Sequence, residues 1–366
     1  MKSLTINCSK QYDIIIGSDL LYRAGRSISQ VLAPCRICIV SDETVRALYG
    51  GAQSALYQSL LSAGFDVYEY TFAPGEKSKT LQTAASILDF LAANRFSRDD
   101  ALLALGGGVT GDLTGFVAST YMRGIRFVQM PTTLLACIDA SIGGKTAVDL
   151  PAGKNLAGTF WHPEMVLVDT DVFTTLSDDL WRDGLAEMVK AGMIGDPSII
   201  RDLTDHDIRA MDREALTDLL LRALSVKADI VAADEREQGL RQLLNFGHTV
   251  GHAFEQCSGY DVSHGQAVAA GMLIEAAAAE CKGWASKGNA GLLKNLLTKL
   301  GFPVETMLQK ADNLGYAPLA KAALGDKKAH GDAVTIAYPM RPGLCECKPL
   351  PTSEMEDFIK TGAAAL

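Results

Sequence analysis

The sequence predicts an α/β domain with a parallel, doubly wound sheet, followed by a mainly α-helical domain. In the first half of the chain, short runs rich in apolar and β-branched residues alternate with helical patterns. After about Thr175, long amphipathic stretches replace them. A chain of 366 residues is long enough for two domains that each bury a core. We therefore expect domains at residues 1–175 and 176–366, with a site in the cleft between them.

The first half predicts strands that alternate with helices. The strand candidates are Tyr12–Ile16, Arg36–Val40, Asp66–Thr71, Ala101–Leu105, Arg126–Met130 and Met165–Val168. The helix candidates are Gly50–Ala63, Leu81–Ala93 and Thr110–Tyr121. Strands separated by helices are typical of a parallel sheet covered on both faces, so the pattern favours a Rossmann-like arrangement.

The second half predicts long helices and one late hairpin. The helix candidates are Leu180–Met193, Arg213–Ala233, Gln242–Gln256 and Gln266–Lys282. The hairpin candidates are Ala333–Tyr338 and Leu344–Leu350.

Composition argues against several classes of function. The net charge of −9 provides no basic surface of the kind that nucleic-acid binding requires. The segment from Met1 to Cys8 is too short and too polar to contain the apolar core of a signal peptide. No apolar run approaches the length that crosses a bilayer. We expect a soluble, cytoplasmic protein that binds neither nucleic acid nor membrane.

A glycine-rich segment follows one of the predicted strands. The run from Gly106 to Gly111 satisfies the pattern G-x-G-x-x-G and precedes a predicted helix, an arrangement that suits pyrophosphate binding. It lies far from the N-terminus, and Thr132 and Thr133 occupy the region where an acidic residue would hold a ribose. A tight strand-to-helix turn without a ligand remains the alternative.

Three histidines lie close together in the helical half. His248 and His252 are one helical turn apart, on one face, and His264 follows at another predicted helix start. Upstream, Glu187 lies on a predicted helix with Lys190 three residues later. Two imidazoles and one carboxylate form a typical open site for a zinc-like ion. Histidines packed in a helical core remain the alternative for any single one.

Several cationic residues lie beside glycine or asparagine rather than on ordinary helix faces. Arg123 precedes a glycine, Lys145 follows two, and Lys154 separates a glycine from Asn155. For each cation alone, a solvated surface position is the simpler interpretation. Together they suggest a positive pocket for phosphate and carboxylate. The other members of this group are Lys190, Lys227, Arg241, Lys327 and Lys328.

The ordered motifs resemble those of the dehydroquinate synthases, over nearly the whole chain. In the N-terminal half they are Pro74–Lys79, Gly106–Asp112, Tyr121–Gly124, Pro131–Leu135, Asp139–Thr146 and Gly153–Asn155. In the C-terminal half they are Ala186–Lys190, Arg241–His252 and His264–Gly265. The resemblance implies an NAD-binding α/β domain and a mainly helical metal- and substrate-binding domain.

The resemblance also implies an activity. Members of this family convert 3-deoxy-D-arabino-heptulosonate 7-phosphate to 3-dehydroquinate and phosphate, a step of the shikimate pathway. The route is a transient oxidation by NAD, phosphate elimination, reduction, ring opening and intramolecular aldol closure. The expected cofactors are NAD and Zn²⁺ or Co²⁺, and the expected assembly is a homodimer.

Residue roles follow from the motif positions. The resemblance implies that the metal ligands are Glu187, His248 and His264. It implies NAD contacts at Asp42, Gly75, Glu76, Lys79, Gly107, Gly108, Asp112, Thr132, Thr133 and Thr175. It places Asp139, Lys145 and Lys154 where cofactor and substrate meet. It assigns substrate binding to Arg123, Asn155, Lys190, Lys227, Arg241, Asn245 and one or both of Lys327 and Lys328. His252 would face the substrate, and no residue is assigned as the base for elimination.

Three other functions remain as alternatives. A related sugar-phosphate cyclase would make a different product, but Asn245, His252 and the Lys327–Lys328 pair favour dehydroquinate synthase. A metal-dependent polyol dehydrogenase would consume NAD and would need fewer phosphate-binding cations. A regulatory protein without catalysis would not need to retain every ligand and pocket cation.

Overall fold

The computed structural model describes residues 1–325 and 332–366. These residues form two compact units. Unit 1 comprises Met1–Leu176 and Arg213–Leu221, and unit 2 comprises Ser177–Asp212 and Arg222–Leu366. Lys327 and Lys328, which the sequence predicted to bind substrate, lie outside the described residues.

Unit 1 contains a seven-stranded sheet and a separate hairpin. The strands of the sheet are β1 (Lys2–Ile6), β2 (Tyr12–Gly17), β3 (Arg36–Asp42), β4 (Asp66–Phe72), β5 (Ala101–Gly106), β6 (Arg126–Pro131) and β9 (Met165–Asp169). The hairpin consists of β7 (Lys145–Leu150) and β8 (Gly153–Phe160). The sheet order is β1-β2-β9-β6-β5-β3-β4, and its pairs are parallel except for β1 with β2.

Helices cover both faces of this sheet. They are α1 (Leu20–Ile28), α2 (Glu43–Tyr49), α3 (Ala55–Ser62), α4 (Leu81–Ala93) and α5 (Gly108–Thr120). Strand β5 is buried along its whole length, as expected for a parallel strand with both faces covered. Leu103 of β5 joins the core formed with α1 and α3, whereas Leu102 joins the core formed with α4 and α5. The alternation of β5 side chains therefore produces the two layers of a doubly wound fold.

The strand order creates a crevice at the carboxyl edge of the sheet. From β3 the chain continues to β4 on one side, then returns to β5 on the other side of β3. The connections therefore diverge between β3 and β5, and ligands of open α/β sheets bind outside the carboxyl ends at such a point.

Unit 2 is mainly helical. Its helices are α6 (Asp178–Ile194), α7 (Pro197–Asp205), α8 (Arg213–Ala233, whose first turns belong to unit 1), α9 (His248–Cys257), α10 (His264–Cys281), α11 (Asn289–Lys299), α12 (Val304–Leu314), α13 (Tyr316–Leu324) and α14 (Met355–Ala364). A hairpin of β10 (Ala333–Arg341) and β11 (Leu344–Pro351) precedes α14. Within the described residues, no helix combines the length and apolarity needed to cross a membrane.

The fold class predicted from the sequence is confirmed. The predicted strands lie within β2 to β6 and β9, and the predictions for α4 and α8 coincide with the observed bounds. The prediction of one helix over Gln242–Gln256 is wrong. A 3-10 turn spans Leu240–Asn245, and Gly247, with φ of +79°, separates it from α9. The prediction for Gly50–Ala63 is also too long, because the Ser54 side chain caps α3 at its N-terminus.

Replacing Leu103 by alanine tests the two-layer core of unit 1. The side chain is fully buried, so Leu103→Ala should lower the free energy of unfolding by about 2–5 kcal/mol. Urea denaturation followed by circular dichroism measures the change. Leu61→Ala is the matched control, since Leu61 is 43% exposed. Equal effects of the two substitutions would contradict the assigned core.

Candidate active site

In unit 1, the glycine-rich segment forms the turn from β5 into α5. A side chain at Gly106 would place its Cβ 2.3 Å from Thr110 Oγ1, so only glycine fits there. Gly107 is the N-cap of α5, and its backbone is extended. The turn therefore presents the N-terminus of a helix, where free N–H groups and the helix dipole favour an anion.

Most residues predicted to contact NAD lie along the carboxyl edge of the sheet. Asp42 ends β3, Glu76 follows β4, Gly107 follows β5 and Thr132 follows β6. These four strands are parallel neighbours, so their ends lie side by side. Asp42 Oδ1 also accepts a hydrogen bond from the N–H of Val45, at 2.9 Å, and thereby caps α2.

The remaining predicted NAD contacts lie next to these ends or in the turn after β9. Gly75 precedes Glu76, Gly108 begins α5, and Thr133 accepts a hydrogen bond from the N–H of Ala136. Thr175 Oγ1 lies 2.7 Å from the hydroxyl of Tyr49.

A buried lysine connects two sets of predicted site residues. Lys79 is 4% exposed, and its Nζ donates to Asp112 Oδ2 and Asn155 Oδ1, both at 2.5 Å. Burial raises the pKa of Asp112 to about 6, although the Lys79 ammonium opposes the increase. Asn155, predicted to bind substrate, therefore shares a cluster with Lys79 and Asp112, predicted to bind NAD. Its N–H donates to Asp149 Oδ1 at 2.8 Å.

Other predicted residues of unit 1 lie in irregular or exposed segments. Arg123 is exposed and has φ of +68°, directly after Met122 with φ of +48°. Asp139 lies in a π-helical turn, a feature often found at functional sites. Lys145 begins β7 and is exposed, and Lys154 Nζ lies 3.9 Å from a Glu76 carboxylate oxygen.

In unit 2, Glu187, His248 and His264 converge on one point. Glu187 lies on α6, whereas His248 and His264 are the first residues of α9 and α10. Glu187 Oε1 lies 3.5 Å from His248 Nε2 and 3.6 Å from His264 Nε2. One ligand atom from each residue lies within 4.8 Å of the other two. A carboxylate oxygen and two imidazole nitrogens at this spacing fit a divalent cation with open positions.

The electrostatics of this cluster centre on the Glu187 carboxylate, which is 1% exposed. Burial, together with the Lys190 ammonium, holds the pKa of His248 well below its usual value. Burial also lowers the pKa of His264, but hydrogen bonds and attraction to Glu187 and Glu255 outweigh it and raise the pKa to about 10. The buried carboxylate therefore favours positive charge at this point, which a divalent cation would supply.

His252 belongs to a second, overlapping group. Its ring centroid lies 5.0 Å from that of His248, which agrees with the predicted common helix face. With Glu255 and His264 it forms another set whose ligand atoms lie within 4.8 Å of one another. His252 is exposed, whereas Glu187 and Glu255 are buried. The set that contains Glu187 draws its ligand atoms from three helices and does not include His252.

Close packing of α9 on α10 brings the two histidine-bearing helix starts together. A side chain at Gly271 of α10 would place its Cβ 2.0 Å from the carbonyl oxygen of Gly247. The residue that precedes α9 has a left-handed backbone, which Gly247 adopts without strain. Gly251 of α9 also lies against α10, since a Cβ there would be 2.9 Å from the carbonyl oxygen of Ala267.

Two carboxylates that the sequence did not predict as site residues hold these helix starts. Glu275 is fully buried and accepts hydrogen bonds from the N–H groups of Gly247, at 2.6 Å, and Val250, at 3.0 Å. Asp183 accepts from the Ser263 hydroxyl at 2.6 Å and the Gly265 N–H at 3.0 Å. A lone glutamate in the apolar stretch of α10 was the available sequence signal for Glu275.

Three predicted substrate-binding cations of unit 2 are buried. For each cation alone, the sequence favoured a solvated surface position. This prediction is wrong for Lys190, Lys227 and Arg241, which are only 3%, 9% and 2% exposed. Lys190 Nζ forms an ion pair with Glu187. Arg241 donates to the Glu235 carbonyl, and Asn245 Nδ2 donates to Glu237 Oε1 at 2.8 Å. Buried cations carry a desolvation cost that anionic partners offset.

The fold is shared with solved structures of two synthases and a dehydrogenase. A crystal structure of 2-deoxy-scyllo-inosose synthase with carbaglucose-6-phosphate, NAD⁺ and Co²⁺ is similar, with TM-score 0.84, 22% identity and full coverage of both chains. ValA, a 2-epi-5-epi-valiolone synthase from Streptomyces hygroscopicus solved with NAD⁺ and Zn²⁺, has TM-score 0.82 and 27% identity, with 99% of each chain covered. Glycerol dehydrogenase from Schizosaccharomyces pombe shares the fold with TM-score 0.69 and 15% identity, over 96% of this chain and 89% of that chain.

The chain belongs to the 3-dehydroquinate synthase family. The models of the 3-dehydroquinate synthase N-terminal and C-terminal domains match residues 69–183 and 184–343. A 3-dehydroquinate synthase from Enterococcus faecalis is 42% identical over 353 residues, which cover 95% of each chain. One from Clostridium kluyveri is 38% identical over 361 residues, which cover 98% of each chain.

Removal of the Glu275 carboxylate tests how the start of α9 is held. Glu275→Ala deprives two N–H groups of their acceptor. Because each unsatisfied buried donor costs about 1–3 kcal/mol, the free energy of unfolding should decrease by about 2–6 kcal/mol. Urea denaturation measures this. Glu356→Ala, on the exposed surface of α14, is the control and should change stability by less than about 0.5 kcal/mol.

Proposed function

We propose that this chain catalyses the reaction of its family, from 3-deoxy-D-arabino-heptulosonate 7-phosphate to 3-dehydroquinate and phosphate. The observation that carries the proposal is the convergence of Glu187, His248 and His264, in a chain 42% identical to a curated 3-dehydroquinate synthase. Product and phosphate together contain the atoms of the substrate, so the reaction involves no net oxidation. NAD is therefore regenerated in each turnover, and the protein is a lyase.

The cofactors are NAD and a divalent cation, Zn²⁺ or Co²⁺. Support comes from the similar cyclases, one solved with NAD⁺ and Co²⁺ and another with NAD⁺ and Zn²⁺. We assign the cation to Glu187, His248 and His264, since one oxygen and two nitrogens leave positions open for substrate oxygens. When bound, the cation supplies Lewis acidity, and NAD accepts and returns a hydride.

Residues 1–175 form the NAD-binding domain in this proposal, and residues 176–366 the metal- and substrate-binding domain. The glycine turn at the N-terminus of α5 receives the pyrophosphate, because Gly107 and Gly108 let the backbone approach an anion. Asp42 is suited to the ribose hydroxyls, since its second carboxylate oxygen can accept their hydrogen bonds. The remaining contacts are assigned to Gly75, Glu76, Lys79, Asp112, Thr132, Thr133, Asp139, Lys145, Lys154 and Thr175.

The substrate contributes a carboxylate, a phosphate and several hydroxyls. Buried Lys190, Lys227 and Arg241 offer charge-assisted hydrogen bonds that are stronger than those of exposed cations. Arg241 can bind an oxyanion through two parallel N–H groups, which orients it as well as attracting it. Exposed His252 can accept or donate a hydrogen bond beside the cation-binding residues. Arg123, Asn155, Lys145, Asn245, Lys327 and Lys328 complete the proposed set.

The fold alone does not distinguish this reaction from that of another sugar-phosphate cyclase. The inosose synthase has TM-score 0.84, but only 22% identity. Identities of 38–42% over nearly the full length of 3-dehydroquinate synthases favour the heptulosonate phosphate as the substrate. A cytoplasmic homodimer is part of the same proposal and rests on the family resemblance; analytical ultracentrifugation tests the assembly.

Product analysis tests the proposed reaction directly. Purified protein with the heptulosonate phosphate, a catalytic amount of NAD⁺ and Zn²⁺ or Co²⁺ should release phosphate and 3-dehydroquinate in equal amounts. The absorbance of NADH should not accumulate, because the hydride returns to the substrate. Net NADH from a simple polyol would instead assign a dehydrogenase, and phosphate release with another carbocycle would assign a different cyclase.

Two histidine variants distinguish the overlapping ligand sets. His264→Ala should lose bound metal and activity together, since its Nε2 faces Glu187. His252→Ala should retain the metal and lose about 10–100-fold in kcat/KM, the contribution of a hydrogen bond to a charged group. Metal content after dialysis is measured by mass spectrometry. Loss of metal from His252→Ala would move the cation to the set formed by His252, Glu255 and His264.

A further inference from the structure

The two nitrogens of the His264 ring face two different carboxylates. Nε2 lies 3.6 Å from Glu187 Oε1, and Nδ1 lies 3.4 Å from Glu255 Oε1. His248 is arranged differently, because its Nδ1 lies 3.2 Å from the carbonyl oxygen of Phe246. Each imidazole therefore presents one nitrogen to the cation-binding point and the other to an acceptor in the protein.

The position of Glu255 is costly unless the carboxylate has a positive or donating partner. Glu255 is 6% exposed and lies in the last turn of α9, where the helix dipole disfavours negative charge. Burial adds a desolvation penalty. The His264 ring can supply this donor, because its Nδ1 faces the Glu255 carboxylate.

A neutral imidazole can present a lone pair on one nitrogen only when the other nitrogen carries the proton. When a cation takes the place of the Nε2 proton, an acceptor beside Nδ1 keeps the remaining proton there, so that the Nε2 lone pair faces the cation. A carboxylate acceptor also makes the ring a stronger donor to a cation than a carbonyl acceptor does. His264, with a carboxylate, and His248, with a carbonyl, are therefore unequal ligands.

We propose that Glu255 is a positioning residue that fixes the tautomer and orientation of His264 for metal binding. The inference rests on the proposed metal site, and Glu255 itself contacts neither the cation nor the substrate. Its role is to raise the affinity for the cation and to set the geometry of one of the three ligands.

The competing role for Glu255 is that of a ligand, together with His252 and His264. That arrangement would require Nδ1 of His264 to bind the cation, so that Nε2 would carry the proton and donate it to Glu187. The two roles predict different effects of removing a histidine. If Glu255 is a ligand together with His252, the cation is lost from His252→Ala and retained in His248→Ala. If the cation binds to Glu187, His248 and His264, the reverse holds.

The experiment compares metal binding by wild-type protein, Glu255→Ala and Glu255→Gln, with Gln256→Ala as the control. Gln256 is exposed and adjacent in the same helical turn. The probe is Co²⁺ without NAD or substrate. Affinity is measured by competition with a chromophoric chelator, and geometry is measured from the visible absorption of the bound ion. Circular dichroism and thermal melting verify that each variant is folded.

Glu255→Ala should bind Co²⁺ about 10–100-fold more weakly, the usual effect of removing the partner of a metal-binding histidine. Glu255→Gln keeps an acceptor but loses the charge, so its affinity should fall between those of wild type and Glu255→Ala. Both variants should retain one ion per chain and show a shifted absorption spectrum, whereas Gln256→Ala should match wild type.

The proposal would be overturned if both Glu255 variants matched wild type in Co²⁺ affinity, within about twofold, and in absorption spectrum. Removing the partner of a metal-binding histidine usually costs about 10–100-fold in affinity. If Glu255→Ala does not fold, the isosteric Glu255→Gln decides by the same criterion. Loss of the ion from His252→Ala, with retention in His248→Ala, would make Glu255 a ligand and would also overturn the proposal. Wild-type protein that binds no Co²⁺ would instead refute the proposed metal site itself, a distinct outcome.

Discussion

The buried carboxylate of Glu187 is the constraint on which the arrangement of the charged residues around it depends. An ionised carboxylate removed from water costs several kcal/mol unless positive groups surround it. Lys190 pairs with one of its oxygens, and the rings of His248 and His264 face the other. These three partners lie on α6, α9 and α10. Because the positive groups around Glu187 come from three helices, the packing of these helices stabilises the charge of the carboxylate. The divalent cation that we propose at this point would satisfy the same demand and would add Lewis acidity.

The helices of unit 2 hold this cluster through their N-termini. His248 and His264 each begin a helix, where the backbone direction is set by capping rather than by a preceding turn. Glu275 binds two N–H groups at the start of α9, and Asp183 binds groups on both sides of His264. The two histidines are therefore held through hydrogen bonds to the residues that lie next to them at the helix starts.

Unit 1 uses a different device, the shared edge of a parallel sheet. Because β3, β4, β5 and β6 run in the same direction, residues that are distant in sequence emerge side by side. Lys79 then crosses this edge and contacts Asp112 and Asn155. A single buried ammonium thus links a residue of the glycine-rich helix to a residue of the β7–β8 hairpin. This contact could not be predicted from the sequence, since the three residues come from three separate motifs.

The sequence by itself determined the alternation of strands and helices, the glycine turn after β5 and the helical second half, because periodicity and glycine are local signals. The order of its motifs also predicted Glu187, His248 and His264 as a group of metal ligands. Only the tertiary structure decided that Lys190, Lys227 and Arg241 are buried, that Gly247 interrupts the predicted helix before α9, and that Glu255 and Glu275 face the histidine-bearing helix starts. Burial and carboxylate partners depend on which elements pack together, and residue spacing within one element contains no information about that.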